Sequence, residues 1–286
     1  MGFHEGELAV QREAGVQAQA SRLRGMLDPA DLSGGAAVFL SRQGFAALTA
    51  RDREGVLWTS PLAAAPGFLQ GHDEVLQIAA LPRDGDPLRG LPVGQQVGLI
   101  AIDFAARRRM RINGTVAAAD NGGLLVHVDQ AYGNCPQYIH RHDVDASVLA
   151  PAGASGFEHG KALTPAAQAL VAGADTFFLG TTHPTRGNDA SHRGGPPGFV
   201  RVTSATQLWW PDYPGNNMFT SFGNLAVDDA AAVLVPDFTT GTSLQLSGRA
   251  AVEWVPPGSA GDDGGTGRRV RFTVQQTHQS VGPHPF

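Results

Sequence analysis

Asn134, Cys135 and Pro136 have the pattern of a helix start. Asn is a favourable N-cap, and Pro is tolerated in the first turn, where its missing N–H costs nothing. The free N–H groups of such a turn form an anion site. Two interpretations remain open, a plain helix cap with a buried cysteine or a helix end that faces a ligand. A nucleophilic role for Cys135, the single cysteine, is disfavoured because no catalytic His/Asp order surrounds it.

Four histidines are candidates for chemistry. His140 and His142 are two residues apart, and on a helix that spacing directs them to different faces, so we predict no metal site. His183 and His192 flank the turn Thr185–Asp189. His192 could donate a hydrogen bond or a proton, or it could be a partly exposed strand histidine.

Several cofactor motifs are absent from the sequence. It contains no GxxxxGK[ST], no GxGxxG after a strand and no HExxH, so a nicotinamide-binding Rossmann domain is not predicted. Any NAD(P)H would therefore dock transiently. Trp58, Trp209 and Trp210 could stack on a ring, although packing in a core or interface is the more frequent role of tryptophan.

Bulk composition narrows the class of protein. The 286 residues carry 21 Lys+Arg against 26 Asp+Glu, for a net charge of −5, which predicts neither nucleic acid nor an anionic membrane as a partner. No stretch approaches the roughly 18 apolar residues of a membrane helix. The N-terminal stretch carries acids and no apolar segment, so we expect no secretory signal and a cytoplasmic location.

The elements that must position these residues are mostly strands. Residues 5–27 read as a helix that Asp28-Pro29 breaks, and residues 30–43 could form a second short helix. A third begins at Thr164 with Pro165 in its first position and runs to Ala172. Strand patterns fill 45–133 and resume from Thr176 to the end. The Gly/Ala/Ser-rich stretch 150–161 reads as a linker, which divides the chain into domains 1–149 and 150–286.

An internal repeat is the most informative feature. Pro66-Gly67-Phe68-Leu69 recurs as Pro197-Gly198-Phe199-Val200, an offset of 131 that also places Ser60 on Ser191. Ile102-Asp103-Phe104 matches Pro236-Asp237-Phe238 at an offset of 134, and Val126–Gln130 matches Phe272–Gln276 at 146. Offsets that grow only at loops predict two duplicated halves packed as an intrachain pseudo-dimer.

Three stretches carry a family resemblance, namely Asp189–Val200, Trp210–Phe219 and Gln130–Ile139. With the order of strands and Gly-rich turns in each half, they resemble the FMN-binding split barrels of pyridoxamine 5′-phosphate oxidase-like proteins, in an internally duplicated subgroup. The resemblance covers roughly residues 35–280. It implies a mostly β fold with peripheral helices, built from two tandem split β-barrels that form an intrachain pseudo-dimer with a flavin at their interface.

The resemblance also implies positions for the cofactor. The strand around Ser191, His192, Arg193 and Gly194 would face the flavin, and the turn Pro211–Met218 would follow, with Asn216 and Asn217 near the phosphate. The cofactor-binding residues expected are Ser191, His192, Arg193, Gly194, Pro211, Asp212, Asn216, Asn217, Gln245, Ser247, Asn134 and Cys135.

The chain departs from the family at one turn and in one half. Where the oxidases place an Arg-Lys pair, it has Asn217-Met218, so Arg193 must supply the phosphate charge, and pyridoxamine phosphate is disfavoured as substrate. The first half has apolar Pro61-Leu62-Ala63 where the second has His192-Arg193-Gly194. Arg107–Arg109 and Arg111 are either solvated residues or guanidiniums that face the phosphate across the pseudo-dimer.

The sequence thus predicts an FMN-dependent oxidoreductase, with His192 as candidate catalytic residue and a small-molecule substrate or NAD(P)H as electron donor. The alternative is a non-catalytic flavin or haem carrier, with His192 or His183 as axial ligand, or a scaffold without ligand. Pyridoxal-phosphate salvage is a weaker hypothesis. A homodimer stays open.

Overall fold

The computed structural model of the chain describes residues 2–27, 30–144 and 156–281. None of the helices in these ranges has the length and apolar character needed to traverse a bilayer. The predicted helix breaker Asp28-Pro29 and the predicted domain boundary between residues 149 and 150 lie outside the described residues.

Strands dominate the first half. Its helices are α1 (Glu5–Glu13), α2 (Gln17–Ser21), a 3₁₀ turn (Arg24–Leu27) and α3 (Gly35–Ser41). Its strands are β1 (Phe45–Arg51), β2 (Leu57–Ala63), β3 (Leu69–His72), β4 (Val75–Ile78), β5 (Gln96–Asp103), β6 (Arg108–Asp120) and β7 (Gly123–Asn134).

The second half repeats this order. Its elements are β8 (Gly156–Gly160), α4 (Pro165–Gly173), β9 (Thr176–His183), β10 (Gly187–Gly194), β11 (Arg201–Ser204), β12 (Gln207–Pro211), α5 (Thr220–Val227), β13 (Ala230–Pro236), β14 (Ser243–Trp254) and β15 (Arg268–Val281).

Both halves form an antiparallel sheet with one strand order. The first sheet runs β2-β1-β5-β6-β7-β4-β3 and the second β10-β9-β13-β14-β15-β12-β11. Ser60 pairs with Leu48 and Ser191 with Leu179, while Gly114 pairs with Val128 and Gly248 with Val274. These pairings reproduce the predicted offsets of 131, 134 and 146. The predicted fold class, a mostly β chain of two tandem split barrels in an intrachain pseudo-dimer, is confirmed.

A β-bulge marks the same place in each half. The register shifts between Asn113 and Gly114 in the first sheet and between Ser247 and Gly248 in the second. A Cβ at Gly114 would clash with the carbonyl of His127, and one at Gly248 would clash with that of Thr273. Glycine is therefore required at both bulges, because only a residue without Cβ lets these carbonyls of the partner strand approach so closely.

Each half has its own apolar core, and a third cluster joins the halves. That cluster contains Phe45 and Ile100 from the first half and Phe178 and Leu234 from the second. The rings of Phe45 and Phe178 lie 5.4 Å apart between centroids. The halves therefore share an apolar contact, as expected of a pseudo-dimer rather than of two loosely linked domains.

The helices differ in part from the sequence prediction. The helix expected over 5–27 is interrupted at Gly15, whose φ is +69°, and the second spans only 35–41. The helix after Thr164 is confirmed, because the Thr164 side chain accepts a hydrogen bond from the Ala167 N–H.

Three further predictions are wrong. No helix starts at Asn134, where β7 instead continues to that residue. Part of the expected linker, residues 156–160, is β8, because its backbone pairs with β15. The strand pattern expected after Thr176 is interrupted by α5.

Candidate functional site

β10 of the second half lies across β5 and β6 of the first. The approach is close, since a Cβ at Gly98 on β5 would lie 2.6 Å from the Asp189 Cα on β10. Side chains of β6 and β10 therefore share one space. Arg111 on β6 reaches Asp189 at 3.1 Å, and the Asn113 amide reaches the same carboxylate at 3.3 Å.

A cleft that opens to solvent follows this crossing, and its empty space, with the solvent at its mouth included, is about 1000 Å³. Ten of the twelve predicted site residues line it, namely Ser191, His192, Arg193, Gly194, Pro211, Asp212, Asn216, Asn217, Asn134 and Cys135. Arg109 and Arg111, which the sequence left between solvated residues and groups that face the ligand, also line it, and so do residues that were not predicted, among them Tyr138, Arg268 and the start of α5.

Gln245 and Ser247 do not line the cleft. They lie on β14, and the Gln245 amide nitrogen donates to the Ser60 hydroxyl at 2.8 Å. The pseudo-symmetry is the reason, because it places β14 against β2 of the opposite half rather than beside β10. The strand that completes the cleft is β6 of the first half, so both halves supply its polar side chains.

The cleft has more positive than negative side chains. Arg111 is paired with Asp189, and Arg268 is paired with Asp212 at 2.9 Å. Within the described part of the chain, Arg109 and Arg193 have no carboxylate at ion-pair distance. Arg193 instead lies 5.3 Å from the centre of the Phe222 ring. Two guanidiniums thus remain without a counter-charge beside the cleft, which favours an anionic ligand.

Burial tunes the charged groups of this wall. Burial, together with Arg111 and Arg193, lowers the pKa of Arg109 to about 10, so that it stays charged at neutral pH. Burial also lowers the pKa of Arg193, although Asp212 opposes that shift. Burial raises the pKa of Asp212, and Arg193 and Arg268 oppose this.

Several buried donors around the cleft lack an acceptor. Among the described residues, no partner exists for Nε of Arg111 or Arg193, for Nδ2 of Asn134, or for Nε1 of Trp210. The Asn134 Oδ1 is used, since it accepts from the Asn216 amide at 3.3 Å. A buried donor without an acceptor costs about 1–3 kcal/mol. Four of them at one cleft indicate a site adapted to a ligand or waters rich in acceptors.

His192 is held in one tautomer by Arg109. Its Nδ1 lies 2.7 Å from the Arg109 Nη1, and because a guanidinium can only donate, Nδ1 is the acceptor. Burial, followed by Arg109 and Arg193, keeps the pKa of His192 well below its usual value. The imidazole is therefore neutral at neutral pH and carries its proton on Nε2.

The start of α5 faces the cleft through a turn with unusual backbone angles. Asn217 and Phe219 have φ of +61° and +60°, and no side chain caps the helix. The Gln11 amide on α1 donates to the Met218 carbonyl at 3.1 Å and holds the turn from behind. Left-handed residues that the surrounding structure enforces are concentrated at functional sites, and uncapped N–H groups favour an anion.

Two tyrosines lie at the cleft. The rings of Tyr138 and Tyr213 are stacked with centroids 4.9 Å apart and an angle of 19° between planes. Both side chains are half-buried. Tyr138 is itself left-handed, with a φ of +64°. They offer a flat aromatic surface next to the cationic wall.

A second polar cluster contains His4, Glu5 and His183, and its ligand atoms are close enough to hold a metal ion. However, the Gly6 N–H donates to the His4 Nδ1 at 3.2 Å and the Thr185 N–H to the His183 Nδ1 at 3.1 Å. Each neutral ring therefore carries its proton on Nε2, the atom that would have to bind the metal. The His183 Nε2 lies 3.3 Å from Glu5, which makes this a hydrogen-bonded contact between α1 and β9.

Comparisons with known proteins found likeness only among solved structures, since no family model and no curated protein matches the chain. A protein from Lactobacillus delbrueckii assigned as a pyridoxamine 5′-phosphate oxidase is 12% identical, with a TM-score of 0.33, over 41% of this chain and 93% of its own. HupZ from Group A Streptococcus is 8% identical, with a TM-score of 0.34, over 41% and 98%. A structure named F420 reductase is 16% identical, with a TM-score of 0.28, over 40% and 94%.

Each match spans about one half of this chain. The first of them carries the name of the family that the sequence resembles. That resemblance is confirmed at the level of the fold, which rests on the sheet order of this chain itself.

Proposed function

We propose that the cleft between β6 and β10 binds FMN and that the chain is a flavin-dependent oxidoreductase. One observation supports this most strongly. The guanidiniums of Arg109 and Arg193 have no carboxylate partner in the described structure, and they lie at a cleft that the uncapped start of α5 also faces. A phosphate monoester matches that combination, because it accepts fork-shaped donors and backbone N–H groups together.

The remaining lining fits the rest of FMN. The buried donors of Asn134 and Trp210 suit the acceptors of a pyrimidine-type edge. Tyr138 and Tyr213 supply an aromatic surface for a fused ring. When bound, FMN supplies one- and two-electron transfer, while the protein supplies position and electrostatics.

The protein groups have distinct roles in this proposal. Arg109 and Arg193 hold the phosphate, with the turn of Asn216 and Asn217 beside them. Arg109 also orients His192, whose Nε2 proton makes it a hydrogen-bond donor. Phe199 and Phe222 supply apolar lining to the cleft, which excludes water beside them. The electron donor we expect is NAD(P)H, docked transiently, with a small-molecule substrate.

A non-catalytic flavin carrier is the second candidate, and one observation favours it. Asp212, the carboxylate that lines the cleft, is already paired with Arg268, and His192 has its Nδ1 occupied, so neither group is free to act as a general base. Haem is less well supported, because a proton on the His192 Nε2 opposes iron ligation at that atom.

The test is an FMN titration followed by flavin fluorescence, with Arg108 as matched control. Arg109 and Arg108 are neighbours on β6, but only Arg109 lines the cleft, and Arg108 is exposed. Arg109→Ala should weaken FMN binding about 10-fold or more, and Arg108→Ala should leave it unchanged. An equal FMN affinity of the two variants would refute the assignment of Arg109 to the phosphate.

Cys135 offers an independent readout. It is exposed, lines the cleft and is the single cysteine, so bound FMN should slow its reaction with a thiol reagent. Anaerobic addition of NADH or NADPH then separates the two candidates. Bleaching of the bound flavin supports an oxidoreductase, and a flavin that stays oxidised supports a carrier.

A further inference from the structure

The pseudo-symmetry gives the cleft a counterpart. We call it the second seam, and it lies between β2 of the first half and β14 of the second. The strand pairings define equivalent positions, because Arg111 pairs with Tyr132 just as Gln245 pairs with His278. Two equal barrels would be expected to form two equal ligand sites.

The cations of the cleft have no equivalents in the second seam. At the repeat offsets of 131 and 134, Arg193 corresponds to Leu62, Arg109 to Ser243 and Arg111 to Gln245. Leu62 is fully buried in the core of the first half. Ser243 is engaged with the Ser280 hydroxyl at 3.0 Å.

A buried carboxylate takes part of this space instead. The Ser60 hydroxyl donates to the Asp86 Oδ1 at 2.6 Å, and the Gln245 amide donates to Oδ2 at 3.2 Å. The Leu88 N–H adds a third bond at 2.8 Å. Because Ser60, Gln245 and Leu88 already donate to this carboxylate, a phosphate there would meet a negative charge. The half-buried Arg83 has this carboxylate as its counter-charge, although its Nη2 has no hydrogen-bond partner among the described residues.

β8 closes the second seam from outside. It pairs antiparallel with β15, so that Phe157 lies opposite Ser280. The Phe157 ring stacks on the His278 ring with centroids 4.5 Å apart, and His159 contacts His278 between Nδ1 atoms at 3.1 Å. In the cleft, the residue equivalent to His278 is Tyr132, beside Arg111.

We infer that the duplicated chain binds one anionic ligand, in the cleft between β6 and β10, and that the second seam is filled by the chain's own Asp86, Gln245 and Phe157. The identity of that ligand as FMN rests on the proposed function. The loss of the second seam as a site rests on the geometry of the seam alone.

The first test is the stoichiometry of FMN binding, measured by calorimetric titration of the full chain. One FMN per chain is expected, with binding weakened in Arg109→Ala and unchanged in Ser243→Ala, the variant at the equivalent position. Two FMN per chain would overturn the inference and leave the proposed function standing. Loss of binding in Ser243→Ala but not in Arg109→Ala would overturn both.

The second test needs no ligand, so it shows whether the second seam is closed even if FMN does not bind. Arg109→Cys and Ser243→Cys are each made in a Cys135→Ser background, and their reaction with a thiol reagent is timed. The thiol at 109 should react about tenfold faster or more, because the cleft is open and the seam is closed. Equal rates under native conditions would show an open second seam and would overturn the inference.

Discussion

Replacement of Arg193 by alanine tests the phosphate assignment with a built-in ligand control. The side chain of Arg193, on β10, has no hydrogen bond or ion pair to any described residue, and its guanidinium lies 5.3 Å from the centre of the Phe222 ring. A charge-assisted hydrogen bond to phosphate is worth about 1.5–3 kcal/mol. Since about 1.4 kcal/mol corresponds to a tenfold change, Arg193→Ala should weaken FMN binding about 10- to 150-fold.

Riboflavin isolates this effect, because it has the ring and side chain of FMN without the phosphate. Its affinity should therefore be nearly the same for the native chain and for Arg193→Ala. Arg193→Lys should recover part of the FMN affinity, since it restores the charge but not the two-pronged geometry. High salt should narrow the difference between FMN and riboflavin in the native chain.

The assay is a pair of fluorescence titrations, FMN and riboflavin, for each variant, with thermal melts to establish that the variants are folded. Arg201→Ala serves as the control, because Arg201 is exposed and paired only with Asp263, outside the cleft. An equal loss of FMN and riboflavin affinity would place Arg193 at the ring rather than at the phosphate. Unchanged FMN affinity would refute the assignment.

Three further predictions concern stability. Gly114→Ala and Gly248→Ala should each lower the free energy of unfolding by about 1–3 kcal/mol in thermal melts, because the new Cβ meets a carbonyl at the bulge. Gly173→Ala is the control, since there is open space around Gly173. Equal melting points for the three variants would contradict the bulge argument. Burial raises the pKa of Glu7 to about 7 from its ordinary 4.5, so the folded state holds an extra proton between these values and stability falls as the pH rises through them. Glu7→Gln should thus gain up to about 3 kcal/mol relative to the native chain at pH 8 and nothing at pH 4, and an equal effect at both pH values would argue against the raised pKa. Gly6→Ala should detach α1, because its Cβ would clash with the Gly223 carbonyl of α5. We expect faster proteolysis of the N-terminus and weaker FMN binding, since the hydrogen bond from Gln11 to the Met218 carbonyl would be lost. A protease-resistant variant would contradict this.

The duplication was predictable from sequence because its landmarks have structural causes. Ser60 and Ser191, which the offset of 131 aligns, occupy one register position in their sheets, and the offset of 134 also aligns Gly114 with Gly248, where the bulges require glycine. Insertions at loops changed the offset without disturbing the pairings. The repeat therefore predicted the strand correspondence as well as the fold class.

The contribution of β6 to the cleft was less accessible. The sequence left Arg109 and Arg111 between solvated residues and groups that cross the pseudo-dimer, and only the packing of β10 over β5 at Gly98 distinguishes these. The family resemblance placed Gln245 on a strand next to Ser191. The pseudo-symmetry instead packs β14, which carries Gln245, against β2 of the first half, and it packs β10, which carries Ser191, against β6.

α5 was not predicted, because its local sequence does not favour a helix. Its sequence includes Gly223 and Asn224, which disfavour helix, and it starts at Phe219 without a capping side chain. Its stability comes from packing, since Gly223 abuts Glu7 on α1. A contact between residues more than 200 positions apart cannot be predicted from the local sequence pattern.

A crystal structure of the chain grown with FMN tests the central claim most directly. The account predicts one FMN per chain, with its phosphate within hydrogen-bond distance of Arg109, Arg193 and the first N–H groups of α5, and with no ligand at Ser60. A phosphate bound anywhere else, or FMN in the seam beside Asp86 and Gln245, would contradict it.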